Sequence, residues 1–153
     1  MAIRYSHTQT GARMRLFVFG VLIIALVAMV VGLTRDPKAP GWIWPMVLTA
    51  MALSFLSAWV FSQLTVAVDE QALRWYFGGG IPRFSVSRGE IRGARAIKLP
   101  WYYGMGIHYF PGRPGRWVYN VGLGQGVEIT KHDGSVLCIG SDDAANLAAA
   151  LSA

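Results

Sequence analysis

Two glycine-rich segments raise the question of phosphate binding. Gly122, Gly124 and Gly126 alternate along one segment, and residues 78–80 of the other are consecutive glycines. A phosphate loop needs G-x-G-x-x-G or GK(S/T) spacing and a following helix, whose N-terminal amides hold the phosphate. Neither segment has that spacing, and strand-like sequence follows both. We interpret both as β-turns or bulges.

The side chains that bind metals or act as nucleophiles are scattered. His7, His108 and His132 have no HExxH or CxxC partners, and a metal site needs three or four convergent ligands. Cys138 lies in VLCIG, where alternate residues face inward. This pattern predicts that Cys138 is a small buried hydrophobic residue rather than a nucleophile. We therefore expect no metal and no cofactor.

The carboxylates do not form an acid–base pair either. Glu90 is isolated, and Glu128 alternates with the apolar Val127 and Ile129. This pattern indicates that Glu128 faces solvent or a basic neighbour. No pair of carboxylates suited to general acid–base catalysis stands out, and we expect no enzymatic activity.

An aromatic segment, PWYYGMGIHYFPGRPGRW at 100–117, is the best candidate contact surface. Its aromatic rings could rest at the headgroup level of a membrane, with the arginines beside phosphates. Alternatively, 104–107 forms strand and turn, and the aromatics cover the mouth of a barrel. The candidate lipid or partner contacts are Trp101, Tyr102, Tyr103, His108, Tyr109, Phe110, Arg113 and Arg116.

Basic residues cluster just upstream, within 74–98, where only Glu90 opposes them. Close to a bilayer, such cations would meet anionic headgroups, each contributing about 1 kcal/mol. The other interpretation is an ordinary solvated face. The candidate basic face consists of Arg74, Arg83, Arg88, Arg92 and Arg95, followed by Lys98.

Two membrane-spanning helices are predicted before these segments. Apolar residues make up 54% of the 153-residue chain and charged residues only 14%, which is unusual for a soluble domain. Residues 16–33 and 42–61 carry no charge and are long enough to cross a bilayer core. A cleaved signal peptide fits the first run less well, because the run is too long and no A-x-A site follows.

The short link at 34–40 makes these helices an antiparallel hairpin, so both chain ends lie on one side. Arg4, Arg13 and Arg15 precede the first helix, whereas the link carries Arg35 and Lys38. The positive-inside rule then places both termini in the cytoplasm, with residues 1–15 as a cytoplasmic N-terminal segment.

Neither predicted helix contains an ionisable residue, which argues against an ion path or a transporter. Ala50, Ser54 and Ser57 are small residues at spacings of four and three. They could bring the two helices together, or they could pack a second copy in a homo-oligomer.

The remaining chain, 64–153, has the pattern of a β domain. Val127 and Ile129 alternate with polar residues before an Asp133-Gly134 turn, which predicts a hairpin. Ser141 and two aspartates then begin an amphipathic helix at 142–151 that should cover an open edge of the sheet. Seven strands are predicted, at 64–68, 73–77, 83–87, 91–99, 117–121, 126–132 and 135–140.

Three motifs stand out in the β domain: GMGI at 104–107, YNVGLGQGVEI at 119–129 and DGSVLCIGSDDAANLAAAL at 133–151. Together with the order of seven strands followed by a helix, they resemble a bacterial pleckstrin-homology-like (PH-like) membrane protein family. The resemblance implies an α+β membrane protein: a two-helix transmembrane hairpin, then a PH-like seven-stranded β-barrel or sandwich capped by a C-terminal helix. It implies no catalytic residues. The turn at 69–72 is acidic, which departs from the basic turn of inositide-binding PH domains.

Together these features predict a multi-pass protein of the bacterial inner membrane with a cytoplasmic, non-catalytic binding or scaffolding module. Its expected partners are membrane lipids, through anionic headgroups, or another membrane protein. The alternative is an accessory subunit of a membrane enzyme or transporter. Nucleic acid is not an expected partner, because much of the +6 net charge flanks the apolar helices.

Overall fold

The computed structural model describes residues 3–35, 40–122 and 124–152. Helix α1 spans Ala12–Arg35 and helix α2 spans Ile43–Val60. Each helix contains an 18-residue window long and apolar enough to cross a membrane, and at most 6% of either window is buried in the protein. Residues 36–39, which include Asp36 and Lys38 of the expected link, lie outside the described residues.

The two helices pack against each other and leave an apolar groove of about 690 Å³, which Ala50 and Ser54 help to line. The hydroxyl groups of Ser54 and Ser57 each donate a 2.8 Å hydrogen bond to a carbonyl oxygen four residues earlier in α2. Their polar atoms are therefore satisfied within the helix, as a lipid environment requires.

The residues before α1 form a strand, β1 (Ile3–Thr10), which pairs antiparallel with β2 (Gln63–Asp69). The register sets Thr10 opposite Gln63 and His7 opposite Val66. The expected N-terminal segment at 1–15 is thus divided between a sheet strand and the start of α1. The α1–α2 hairpin is an insertion between two neighbouring strands of the β domain.

The first sheet is an antiparallel meander in the order β1-β2-β3-β4, with β3 at Ala72–Phe77 and β4 at Arg83–Ser87. Asp69 closes the β2–β3 turn by accepting hydrogen bonds from the backbone N–H groups of Gln71 (2.8 Å) and Ala72 (2.7 Å). These bonds, together with nearby Arg74, lower the pKa of the Asp69 carboxyl group.

The second sheet contains β5 (Ile91–Lys98), β6 (Gly106–Phe110), β7 (Arg116–Asn120), β8 (Gln125–Lys131) and β9 (Val136–Gly140). Its order is β5-β8-β9-β7-β6, and β7 and β9 are parallel. All seven predicted strands are present, and β1 and β6 bring the number in the described residues to nine. The two sheets are separate, so the expected barrel is wrong and the two-sheet alternative is confirmed.

The main core lies between the two sheets and is closed by α3 (Ala144–Ser152). Asp142 and Asp143 precede α3 and contact β1: Tyr5 donates a 3.0 Å hydrogen bond to Asp143, and His7 pairs with Asp142. α3 therefore ties the first strand to the edge strand β5. The largest fully buried core side chains are Phe77, Leu64, Leu73, Ile129, Ile139 and Leu147.

Candidate functional site

The hairpin and the β domain meet with almost no linker. Only Gly11 separates β1 from α1, and only Phe61 and Ser62 separate α2 from β2. The backbone N–H of Gly11 donates a 2.7 Å hydrogen bond to the carbonyl oxygen of Ser62. A Cβ at position 11 would lie 3.1 Å from the carbonyl oxygens of both Phe61 and Val121. We call this end of the β domain the hairpin end.

The β3–β4 turn at 78–82 lies at the hairpin end, against the last turn of α2. A Cβ at Gly78, whose φ is +42°, would lie 2.6 Å from the carbonyl oxygen of Val60. A Cβ at position 79 would lie 3.5 Å from the Trp59 ring. Ile81, further along the same turn, is 75% exposed. The turn therefore presents an apolar side chain beside the base of α2.

The second sheet presents another loop at the hairpin end. The N–H of Leu99 donates a 2.9 Å hydrogen bond to the carbonyl oxygen of Gly124. In the same turn, a Cβ at Gly122 would lie 2.5 Å from Nε2 of Gln9, next to the junction. Trp101 and Tyr102 follow and are 84% and 59% exposed. Two predicted contact residues thus lie near the base of the hairpin.

Tyr103, the next residue, is buried. It belongs to a second apolar cluster with Leu99, Val118 and Cys138, on the face of the second sheet turned away from the main core. The guanidinium group of Arg116 donates a hydrogen bond to the Tyr103 hydroxyl. Tyr103 and Arg116 hold the 99–104 segment to the sheet, so Tyr103 does not contribute to an exposed contact surface.

Glu128 lies in the same face, between two arginines. Its Oε1 accepts a 2.8 Å hydrogen bond from Nε of Arg95, and its Oε2 lies 3.1 Å from a guanidinium nitrogen of Arg116. Arg95 is directly opposite Glu128 on β5, and Cys138 is opposite it on β9. Glu128 therefore faces basic neighbours, one of the two alternatives expected from sequence, and its carboxylate is committed to them.

Cys138 is fully buried beside this network. Burial raises the pKa of its thiol to about 11; the Glu128 carboxylate adds to the shift, and the nearby arginines oppose it. A protonated, inaccessible thiol is a poor nucleophile at neutral pH. This environment agrees with the sequence interpretation of Cys138 as a small buried hydrophobe.

Tyr109, Phe110 and Arg113 lie towards the opposite end of the second sheet, which we call the far end. β6 pairs with β7 from Gly106, opposite Asn120, to Phe110, opposite Arg116. Five strand residues separate the two ends by roughly 17 Å. The exposed Tyr109 ring lies tilted against the Trp117 ring at the far end, with ring centroids 5.0 Å apart.

The remaining two members of the predicted contact set differ in exposure. Arg113 is exposed in the β6–β7 turn of the far end. His108, on β6, is partly buried, and its Nε2 lies 2.9 Å from the carbonyl oxygen of Met105. The predicted contact set is therefore divided between the two faces of the second sheet, because the Tyr103 and Phe110 rings lie 4.9 Å apart in the second cluster, whereas Tyr109 lies against Trp117.

The predicted basic residues do not share one face. Arg74 and Arg83 lie on the outer side of the first sheet, whereas Arg95 lies on the outer side of the second. Arg74 pairs with Asp69 at 3.1 Å, and Arg88 donates hydrogen bonds to the carbonyl oxygens at the end of α3. Arg92 is exposed on β5. Most of these cations stabilise the fold instead of forming one lipid-binding patch.

The glycine and histidine motifs have structural roles. Residues 78–80 and Gly122 lie in turns between strands, and Gly126 lies within β8. His7 pairs with Asp142. In the described part of the chain, no group of three or more His, Cys, Asp and Glu side chains could hold a metal ion.

Sequence reasoning missed β1 and the exposed Ile81. Strand β1 does carry a signal, because Tyr5, His7 and Gln9 face the protein while Ser6, Thr8 and Thr10 are exposed. Ile81 carries no such signal, since a single apolar residue after three glycines is common in a turn. Only the packing of Gly78 and Gly79, in the same turn, against α2 marks it.

Comparison with protein-family models, with curated proteins and with solved structures finds no match to this chain.

Proposed function

We propose that this chain is an integral membrane protein in which the α1–α2 hairpin crosses the bilayer and holds the β domain at its surface as a binding module. The apolar windows of the two helices have mean hydropathies of 2.6 and 1.7, and at most 6% of either window is buried in the protein. A soluble monomer avoids exposing so large an apolar surface to water. Lipid suits this surface better.

The pairing of β1 with β2 across the hairpin carries the proposal. Both strands continue into the helices through one or two residues, and the Gly11–Ser62 hydrogen bond closes the base. A membrane-spanning hairpin would therefore hold the β domain at the headgroup level, without the freedom of a linker. Such placement suits a module whose ligand lies in or on the membrane.

We further propose that the β domain faces the cytoplasm at a bacterial inner membrane. Arg15 lies in the first turn of α1 at the hairpin end, and Arg83 and Lys98 are the terminal residues of β4 and β5 beside the nearby loops. Arg35 lies at the other end of α1. This charge bias follows the positive-inside rule.

The proposed role is non-catalytic binding or scaffolding, because the groups that chemistry would use are engaged in the fold. Glu128 is held by two arginines, and Cys138 is buried with a raised thiol pKa. PH-like membership remains part of the proposal. The four-stranded meander, the second sheet and the terminal helix support it, whereas the helices between β1 and β2 depart from the expected order.

Membrane extraction and cysteine accessibility test this proposal. In a Cys138→Ala background, Gly41→Cys places an exposed thiol between the helices and Ser85→Cys places one on the β domain. We expect the protein to resist carbonate extraction. In intact spheroplasts, an impermeant maleimide should label Gly41→Cys, and should label Ser85→Cys only after permeabilisation. Carbonate release, or equal labelling at both positions, would contradict the proposal.

A photoreactive side chain at Tyr109 tests for a protein partner at the far end. Tyr103 is unsuitable because it is buried, whereas Tyr109 is exposed. Capture and stoichiometric co-purification of one membrane protein would support the accessory-subunit alternative. A matched photoreactive group at Tyr102, at the hairpin end, shows whether capture is specific to the far end.

A further inference from the structure

We propose that two loops of the β domain dock on the bilayer beside the hairpin and insert Ile81, Trp101 and Tyr102 into the headgroup region. The loops are 78–82 and 98–102, and we call them the docking loops. This inference rests on the proposed function, since it requires that α1 and α2 span the membrane. It names the lipid interface as the partner of the hairpin end.

The position of the first docking loop supports this assignment. A Cβ at position 79 would lie 3.5 Å from the ring of Trp59, and a Cβ at position 78 would clash with the carbonyl oxygen of Val60, so the loop packs closely on this part of α2. Trp59 and Val60 form the last turn of α2. If α2 ends at the headgroup level, the loop packed against that turn meets the same lipid layer.

The second docking loop reaches the same end of the molecule from the other sheet. It is joined to Gly124 by the Leu99 hydrogen bond, and the turn containing Gly122 packs on Gln9, two residues before Gly11. Both sheets therefore contribute a loop near the two points where the chain enters the hairpin. A planar bilayer around the hairpin could contact both loops at once.

The chemistry of the loops matches a lipid interface. The three apolar or amphipathic side chains are 59–84% exposed, and Trp and Tyr favour the headgroup region because their rings are apolar with one polar atom. Each loop also has an exposed cation: Arg83 comes directly after the first loop, with its Nε bonded to the carbonyl oxygen of Gly80, and Lys98 begins the second. These cations would favour anionic headgroups.

Lipid contact would come from these two short loops rather than from the larger basic region. Arg74, Arg88 and Arg95 have partners within the protein. Tyr109 and Arg113 are at the far end, away from the helices. The first docking loop packs on the last turn of α2, and the second is joined to the turn that packs on Gln9 beside the junction, which is why we assign both to the bilayer and not to a protein.

Quenching by labelled lipid tests the docking loops in the full-length chain. In a Cys138→Ala background, an environment-sensitive fluorophore is attached to Ile81→Cys, to Trp101→Cys or, as a matched far-end control, to Arg113→Cys. The protein is placed in nanodiscs of phosphatidylcholine and phosphatidylglycerol, with a nitroxide near the headgroup. All three sites are exposed, so substitution should leave the fold intact; circular dichroism checks this.

We expect roughly twofold or greater quenching at positions 81 and 101 relative to position 113, because interfacial residues lie within about 5–10 Å of the headgroup boundary. A fluorophore at Phe19→Cys, on the exposed surface of α1, reports on the hairpin with an acyl-chain nitroxide. Quenching at 19 without quenching at 81 and 101 would overturn the docking loops and leave the proposed function standing. No quenching at 19 would overturn both.

A charge reversal gives a second readout. Lys98→Glu should reduce quenching at position 101 in anionic nanodiscs, whereas Arg92→Glu, at an exposed cation near the start of β5, should not. An equal effect of both variants would contradict a specific lipid contact at the second docking loop.

Discussion

The backbone N–H of Gly11 donates a 2.7 Å hydrogen bond to the carbonyl oxygen of Ser62, and this bond closes the base of a helical hairpin that separates β1 from β2. The strand register continues directly into it, because Thr10 is paired with Gln63. In terms of the sheet, the whole α1–α2 segment occupies the place of a β-hairpin turn. The fold of the β domain therefore includes residues on both sides of the hairpin.

This arrangement predicts a soluble form of the β domain. Replacing residues 12–61 by Asn-Gly would join Gly11 to Ser62 through a two-residue turn, the connection that suits paired antiparallel strands. We expect this variant to be monomeric in water and to unfold cooperatively, as measured by circular dichroism during heating.

A fragment of residues 62–153 is the matched control. It lacks β1, and so loses the strand that pairs with β2 and the Tyr5 and His7 contacts to the start of α3. We expect it to aggregate or to unfold at a much lower temperature. Equal stability of the two proteins would show that β1 contributes little to the domain.

Gly11 itself should be sensitive to substitution. A Cβ at position 11 would lie 3.1–3.2 Å from three backbone oxygens, those of Phe61, Ser62 and Val121. Gly11→Ala should destabilise the β domain by about 1–3 kcal/mol, because the backbone cannot yield easily. Gly20→Ala, where a Cβ meets nothing within 4 Å, is the control and should cost nothing. Thermal unfolding in detergent measures both.

Strand β1 shows why part of the fold could not be predicted from local sequence. The strands β8 and β9 were predictable because alternation and an Asp133-Gly134 turn lie next to each other, and Gly134 has the positive φ of +83° that the turn needs. The partner of β1 is more than fifty residues away, beyond two apolar helices. Pairing across an insertion leaves no turn signal, although the alternation of β1 itself was visible.

The residues of the predicted contact set are separated in the structure for a similar reason. Trp101 and Tyr109 are close in sequence, and composition alone places them in one segment. Strand β6, which contains Tyr109, carries the chain from the hairpin end towards the far end. The burial of Tyr103 follows from its packing with Val118 and Cys138, which lie on two other strands. Such cross-strand contacts depend on register, which the sequence pattern did not specify.

The Glu128 network should contribute unequal amounts to stability. Glu128→Gln leaves two arginines facing a neutral group and should cost about 1–3 kcal/mol, as for other partly buried charge pairs. Arg95→Ala should cost less than about 1 kcal/mol, because the Arg95 side chain is 74% exposed. Arg116→Ala should cost more than Arg95→Ala, since Arg116 also holds Tyr103.

Chemical unfolding of these variants checks the ranking, with Tyr103→Phe as the control that removes only the hydroxyl bonded by Arg116. Equal losses for the two arginine variants would contradict this ranking.

The Cys138 thiol should be unreactive in the folded protein. It is fully buried and its pKa is raised, so little thiolate is present and none is accessible. At pH 8, we expect a disulfide reagent to modify Cys138 only after denaturant is added. An introduced exposed thiol at Ser85→Cys is the positive control. Rapid modification of native wild-type protein would mean that the second sheet opens readily.

The same burial makes stability depend on alkaline pH. Unfolding returns Cys138 to a pKa near 9, whereas the folded thiol keeps its proton until about pH 11. Between these values the folded state binds more protons, so the free energy of unfolding falls as pH rises. This difference in pKa corresponds to about 3 kcal/mol of stability, which is fully present below pH 9 and lost by about pH 11.

Lysine and tyrosine titrate in the same range, so wild type is compared with Cys138→Ala at each pH. The stability of wild type relative to the variant should decline across this window, and a constant difference would contradict a raised pKa for Cys138.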